Sequence, residues 1–334
     1  MNFVSINANA KVNFSLDIVG HTENGYHAVE MIMQTISAYD KLVLYTPEAV
    51  SELRGDLTDE IVRAKEIQQE RIERRIAKGI PYTPPDPDDG IIFTSTNPLL
   101  PADSKNDCYK AALMMKKEAG YTKKIGIHLK KKLPVGGGLG GGSADAAATL
   151  VGLNKLFGLN YSCEKLMEFG AKIGSDVPFL VKGGTCLATG TGTDLRVIPS
   201  VSQGHLVIFN PKIFVSTQDV YTKFDRLRLS PESHPDTPLL LDALENGDLT
   251  AFAENMKNVL EYPAFELYPE IMSLKKKVKA TGPLGTVMSG SGSTIIAIYE
   301  SRDEAYNVVR KFRNESVFAL ATDLCETPRF FEDT

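Results

Sequence analysis

Cysteine is scarce in this sequence, positive charge has no surplus, and apolar runs are short. The four cysteines among 334 residues, Cys108, Cys163, Cys186 and Cys325, are far apart and form no C-x-x-C pair. That argues against a structural zinc site and against a disulfide framework. Reduced cytosolic thiols are expected. Lysine and arginine number 37 against 42 acidic residues, giving a net charge of −5 and a pI near 5.7. No broad basic field is present to hold a polyphosphate backbone, so nucleic acid is not expected as a partner. No segment approaches the roughly 20 apolar residues of a membrane-spanning helix. The opening residues Met1 to Asn9 carry neither the basic region nor the apolar core of a secretory signal. A cytoplasmic protein without a membrane partner is expected.

Hydrophobic residues make up 43% and charged residues 24%, with 27 glycines and 18 prolines, which is ordinary globular usage. At about 150 residues per domain the length suits two domains or one large one. Residues 3–19 alternate, with Val12, Phe14, Leu16 and Ile18 on one side and Lys11, Asn13, Ser15 and Asp17 on the other. This is the period of a half-buried strand. Asn24-Gly25 then reads as a type I′ hairpin turn, with further strand material through Tyr45. Residues 57–79 read as a charged helix, closed by the proline-rich stretch 81–87. The segment from about 48 to 90 looks inserted, and its mixed charges favour a solvated surface excursion. A helix is predicted over 106–119, a strand over 124–129 and an alanine-rich helix over 143–157. No repeat of 20–50 residues is evident.

The segment between that strand and the alanine-rich helix is the most informative. Leu133-Pro134-Val135-Gly136-Gly137-Gly138-Leu139-Gly140-Gly141-Gly142-Ser143 has glycine at six of the seven positions 136–142. Glycine is costly to order, so its concentration here implies left-handed backbone and close approach to a ligand. The helix that follows offers unsatisfied N–H groups and a partial positive charge, which suit phosphate. Ser143 stands there as a cap or a phosphate donor. A dinucleotide fingerprint can be forced onto Gly136, Gly138 and Gly141, but Glu164, about 20 residues on, falls in a helical pattern rather than at a strand end. A P-loop would need a lysine before the serine, and none is there.

Pro134 through Ser143 resembles the ATP loop of the GHMP kinases, the family of galactokinase, homoserine kinase and mevalonate kinase. Ala10-Lys11-Val12-Asn13 resembles that family's first motif, and Met288-Ser289-Gly290-Ser291-Gly292-Ser293 its third. Three further segments are similar to the branch whose acceptor alcohol carries a cytidine diphosphate, in isoprenoid-precursor synthesis. They are Gly20 to His27, Gly174 to Phe179, and Pro211 through Thr217 to Tyr221. The chain departs from the family at the insertion and at Ser293, where the family often has proline. The resemblance implies an α+β fold of two domains. The first, 1–187, would be like ribosomal protein S5 domain 2 and bind ATP. The second, 188–334, would be ferredoxin-like and lie on the substrate side.

It also implies residue roles. Asp176 would accept the proton of the attacking hydroxyl and Lys11 would stabilise developing negative charge. Position alone would make Asp176 an N-cap or turn residue and Lys11 a solvent-facing strand residue. ATP, with Mg²⁺, would occupy Asn106, Lys131, Pro134, Gly136, Gly137, Gly138, Gly140, Gly141, Gly142, Ser143, Ser289 and Gly290. The small-molecule acceptor would meet Asn13, Tyr26, His27, Thr217 and Tyr221, the two tyrosines sandwiching the cytosine and His27 reading its edge. Lys130, Lys131 and Lys132 could instead be a solvated charge run. No protein ligand to a metal is assigned, and His21, His128, His205 and His234 receive no role. A monomer or homodimer is expected. Mevalonate or homoserine as acceptor, or an ATP-binding sensor without turnover, stand as alternatives.

Overall fold

The computed structural model describes residues 2–53, 55–80, 84, 86–201, 204–313 and 315–325. Part of the proline-rich stretch predicted to end the inserted helix lies outside the described residues. The long strands β1 (Phe3–His21) and β2 (His27–Tyr45) form an antiparallel hairpin. The second half of β2 also pairs with β4 and its first half with β5, which places β2 at the centre of one sheet. An inserted helix, α1 (Gly55–Ala77), is followed by β3 (Ile91–Ser95), α2 (Asp107–Glu118) and β4 (Ile125–Lys130). Next come α3 (Gly141–Phe157), α4 (Cys163–Ala171) and α5 (Val177–Lys182). The sheet closes with β5 (Thr185–Thr189) and β6 (Asp194–Val197). It therefore continues past the boundary at 187 expected from sequence, because β5 pairs with β2 and β6 pairs with β5.

The second unit begins with β7 (His205–Asn210). Helices α6 (Thr217–Phe224), α7 (Thr237–Asn246), α8 (Leu249–Glu254), α9 (Glu261–Leu267) and α10 (Pro269–Lys279) lead to β8 (Gly285–Met288) and β9 (Ile295–Tyr299). Helix α11 (Arg302–Phe312) and β10 (Phe318–Thr322) follow. Its sheet has the order β10-β7-β9-β8, all antiparallel. This is the ferredoxin-like arrangement, with several helices in the place of the first crossover.

The hairpin differs from its sequence reading at the tip. Among the described residues only Asn160 and Lys212 are non-glycine residues with positive φ, so Asn24 does not adopt the conformation that a type I′ turn demands. The tip is instead a longer loop in which Gly25 N–H donates to the Thr22 carbonyl and Tyr26 N–H donates to the Thr22 hydroxyl. Nor is β1 half-buried. Ala10, Val12 and Phe14 pack with the second unit's Leu206, Ile208, Phe252 and Ile296. The polar face is buried too, with Lys11 4% and Asn13 1% exposed. That face forms the floor between the two units.

The inserted helix α1 buries Ile61, which joins Val43 and Tyr45 of β2, and its Glu60 pairs with Lys130 of β4. It is anchored to the sheet by one short apolar stripe. On the other side of the sheet, α3 presents Ala144, Ala146, Ala147 and Ala148, all buried. Small side chains let this helix lie close, and a Cβ at Gly152 would fall 2.3 Å from a methyl of Leu44. The approach fixes the start of α3, and with it the glycine loop, over β1.

Candidate active site

The glycine loop is held from both units. Lys11 N–H donates to the Leu139 carbonyl, and Thr294 N–H donates to the Gly137 carbonyl. The Ser289 hydroxyl links the two sides, donating to the Gly138 carbonyl at 2.9 Å and accepting from Asn13 N–H at 3.1 Å. No side chains fit here. A Cβ on Gly137 would lie 2.5 Å from the Asn210 amide, and one on Gly138 would lie 2.1 Å from the Ser289 carbonyl oxygen. Gly138 also has φ +78°, and Gly140, the residue that caps α3, has φ 64°. Side-chain-free, left-handed residues at these points follow from the path of the chain. Gly140 supplies no side-chain cap to α3, so the N–H groups of Gly141, Gly142 and Ser143 remain directed outward from the helix end. A cradle of this form matches phosphate oxygens in charge and in donor geometry.

Replacing Gly138 with alanine is expected to raise the KM for ATP by about tenfold to a hundredfold, or roughly 1.4–2.8 kcal/mol. The obstacle is a backbone carbonyl that cannot rotate away, in addition to a backbone angle that costs about 1–3 kcal/mol outside glycine. Steady-state kinetics against ATP concentration check this, and an unchanged KM would show that the loop tolerates a side chain.

Beneath the loop lie Lys11, Asn13 and Asp176. The Lys11 ammonium donates to Asn13 Oδ1 at 2.7 Å and stands 3.2 Å from Asp176 Oδ2. Asp176 occupies the cap position of α5, but its φ of −80° and ψ of −17° are helical and its side chain makes no cap bond. Its carboxylate turns to Lys11 instead, although capping was the reading its position alone favoured. Lys11 also packs under the loop, its side-chain carbons 3.1 Å from where a Cβ of Gly140 would be. Gly290 sits beside Asn13 Oδ1 in the same way, at 3.6 Å. A cation, an amide, a carboxylate and a row of backbone N–H groups thus share one small volume.

Tyr221, on α6, belongs to the same volume. Burial pushes its hydroxyl up to about 12, and the Asp176 charge adds to the shift. It therefore stays a neutral hydroxyl within reach of the Asp176 charge. Its ring lies 4.8 Å from that of His27. Thr217, at the start of α6, hydrogen-bonds Ser291 at 2.8 Å and so ties this wall to the third glycine-rich turn. Tyr26 stands at the hairpin tip with 69% of its surface exposed.

Two residues expected at the adenine are already engaged. Asn106 caps α2, its Oδ1 accepting from Cys108 N–H while its amide donates to the Pro101 carbonyl. Lys131 points inward, between Asp40 at 2.6 Å and Asp145 at 2.7 Å, with 4% of its side chain exposed. Asp40 Oδ1 also accepts from the N–H groups of Lys132 and Leu133. This buried group pins the root of the glycine loop, so Lys131 is no part of a solvated run, whereas Lys130 pairs with Glu60 and Lys132 is exposed. Burial pulls the Lys131 ammonium down, and the two carboxylates reverse this and hold it above the ordinary lysine value.

Sequence reasoning missed Asp40, Asp145, Asn210 and Asp225. Only Asp145 left a signal, as a lone charge inside an alanine run on a helix face that must be buried. Asp225 follows α6 and comes within 2.7 Å of His27 Nε2 and 3.8 Å of His21 Nε2. His21, given no role from sequence, thus has a place in the structure.

Comparison with known proteins gives the family and the fold. Residues 106–184 match the N-terminal domain of GHMP kinases and residues 240–317 match the GHMP kinase C-terminal domain. A 4-diphosphocytidyl-2-C-methyl-D-erythritol kinase of Acetivibrio thermocellus is 37% identical over 305 residues, 91% of this chain and 93% of its own. One from Bacillus cereus is 36% identical over 318 residues, covering 94% of this chain and 95% of its own. A crystal structure of 4-(cytidine 5'-diphospho)-2C-methyl-D-erythritol kinase superposes with a TM-score of 0.71 at 27% identity, over 96% of this chain and 99% of that one. A homoserine kinase of Cytophaga hutchinsonii, at 19% identity and a TM-score of 0.68 over 98% of this chain and 96% of that one, shares the fold. With near full-length relatives at this identity and both kinase domains matched, the chain belongs to the 4-diphosphocytidyl-2-C-methyl-D-erythritol kinases within the GHMP kinase family.

Proposed function

We propose that this chain transfers the γ-phosphoryl group of ATP to the 2-hydroxyl of 4-diphosphocytidyl-2-C-methyl-D-erythritol, in the cytoplasm. The observation that carries the reading is the Lys11–Asp176 pair, set under the glycine loop and beside Tyr221. Phosphoryl transfer is mainly a matter of alignment and charge neutralisation, and these residues supply both. The N–H groups of 136–142 and the Ser143 hydroxyl hold the phosphates, and Ser289 and Gly290 shape the opposite wall. Asn13 orients the acceptor alcohol. Asp176 takes the hydroxyl proton as the new O–P bond forms, and Lys11 neutralises charge on the phosphoryl oxygens. Mg²⁺ accompanies ATP and shields its phosphates. Asn106 and Lys131 act on the adenine end by fixing the first turn of α2 and the root of the loop. Pro134 stiffens the loop's entry.

The cytosine lies against Tyr221, with His27 at its edge, Tyr26 covering the outer face and Thr217 steadying the wall. Base stacking on one aromatic contributes about 1–3 kcal/mol. The expected result is ADP release with the diphosphocytidyl alcohol and none above background with mevalonate or homoserine. Tyr221→Ala is expected to raise the KM for that alcohol by about tenfold to a hundredfold with little change in the KM for ATP. Equal turnover of all three alcohols would remove the assignment of acceptor, and no turnover of any would favour a silent ATP-binding protein.

A further inference from the structure

The outer rim of the cleft carries a set of side chains of which the proposed function uses only His27. His21 and His27 are the last residue of β1 and the first of β2, and they pair directly across the mouth of the hairpin. Their rings are 4.7 Å apart. Asp225 reaches the same point from the other unit, placed by α6 one turn beyond Tyr221. One carboxylate oxygen faces both imidazoles, at 2.7 Å from His27 Nε2 and 3.8 Å from His21 Nε2. One ligand atom from each residue can be chosen so that all lie within 4.8 Å of one another. The geometry points to a transition-metal site made of His21, His27 and Asp225, whose occupation blocks the cytidine subsite.

Three chemical arguments support this. Ligands at 2.0–2.2 Å from a tetrahedral ion are roughly 3.3 Å apart, and the observed separations bracket that value, so modest side-chain rotations converge the three atoms. Two imidazoles and one carboxylate favour Zn²⁺, Co²⁺, Ni²⁺ or Cu²⁺ over Mg²⁺ and Ca²⁺, which prefer all-oxygen sets. The site is also reachable from solvent, with 57% of the His21 side chain and 44% of that of Asp225 exposed. An ion held there leaves a coordination position for water and ties the hairpin of the first sheet to α6 of the second unit. It inserts between His27 Nε2 and the Asp225 oxygen now 2.7 Å from it, and so fixes the His27 ring at the rim. The ion and its water then fill the space in which His27 is proposed to meet the cytosine edge, so occupation and cytidine binding exclude each other.

The competition rests on the proposed role of His27, whereas the metal site does not, and the test separates them. Chelator-treated protein is titrated with Co²⁺ in millimolar Mg²⁺, and the visible absorption of low-coordinate Co²⁺ is followed without any substrate. One equivalent is expected to bind. His21→Gln and Asp225→Asn are each expected to weaken binding at least tenfold, and Asp176→Asn to leave it unchanged. Undiminished binding in both rim variants overturns the site. In the kinase assay, Zn²⁺ is expected to inhibit the wild-type protein in competition with the diphosphocytidyl alcohol and not with Mg-ATP. His21→Gln is expected to keep the basal kcat and lose the inhibition. Inhibition indifferent to the alcohol's concentration overturns the exclusion.

Discussion

Asp176→Asn is expected to lower kcat about 10²- to 10⁴-fold, the usual contribution of a positioned proton acceptor, while KM values for both substrates change by no more than a few-fold. The amide keeps the size of the carboxylate and can still accept from the Lys11 ammonium, 3.2 Å away. Lys11 also keeps its bond to Asn13 Oδ1. The fold should therefore persist, and thermal melting within a few degrees of wild type would confirm that the loss is chemical. What the amide cannot do is take a proton from the alcohol as the phosphorus is attacked. Lys11→Ala removes a different element, the charge proposed to face the phosphoryl oxygens, and should lower kcat as well. If both residues act on one transition state, as proposed, the double variant is expected to be little slower than the worse single one. ADP release under saturating substrates measures each case. Near wild-type turnover by Asp176→Asn would mean that another group accepts the proton.

The elements of this site differ in how far they could be read from sequence. The glycine loop was legible because its conformation is dictated locally, residue by residue: Gly138 and Gly140 have positive φ, as the composition implied. The helix after it was equally plain, since the alanine run both favours helix and allows close packing. Lys11 and Asn13 could be placed on one face of a strand by period alone. Their burial could not, because it depends on a second unit whose Ser289 lies 276 residues from Asn13. For Asp176 the local signal pointed to a cap, and tertiary placement of the Lys11 ammonium decided otherwise. The rim cluster was the least legible. His21 and His27 are six residues apart, a spacing without meaning on a strand or helix, and only the hairpin pairing brings them together. Asp225 then arrives from the far half of the chain. The hairpin turn shows the reverse: Asn24-Gly25 is a strong local signal, yet the Thr22 hydroxyl and carbonyl organise a longer loop in which Gly25 alone takes the left-handed conformation, at φ 79°.

Lys131→Met is expected to destabilise the protein by about 3–5 kcal/mol, the cost of breaking a buried ionic group by removing one partner. Methionine fills most of the volume, so the loss is electrostatic. Asp40 and Asp145 are left as buried neighbouring carboxylates, and Asp145 Oδ1 already lacks a hydrogen-bond partner. Asp40 still accepts from the N–H groups of Lys132 and Leu133, which makes Asp145 the group that yields. Burial pushes its carboxyl up to about 7 even against the pull of the Lys131 ammonium, with the Asp40 charge adding to the rise. The pH dependence follows from linkage. In the unfolded chain this carboxyl titrates near 4, as ordinary aspartates do. Between about pH 4 and 7 the folded state therefore holds the extra proton, and the stability it contributes falls as pH rises through that window, then levels off. Asp145→Asn keeps an acceptor for Lys131 and removes the titration. Its stability relative to wild type should accordingly climb from pH 5 to 7 and stay flat above. Urea unfolding of the three proteins across this range measures both effects. Because the same lysine pins the loop root, Lys131→Met should also raise the KM for ATP by about tenfold, whereas Asp145→Asn should not. A Lys131→Met protein as stable as wild type at pH 8 would show that the carboxylates need no counter-charge, and the loop would then owe its position to the bonds of Asp40 with the Lys132 and Leu133 N–H groups and to the contacts of Gly137, Gly138 and Leu139.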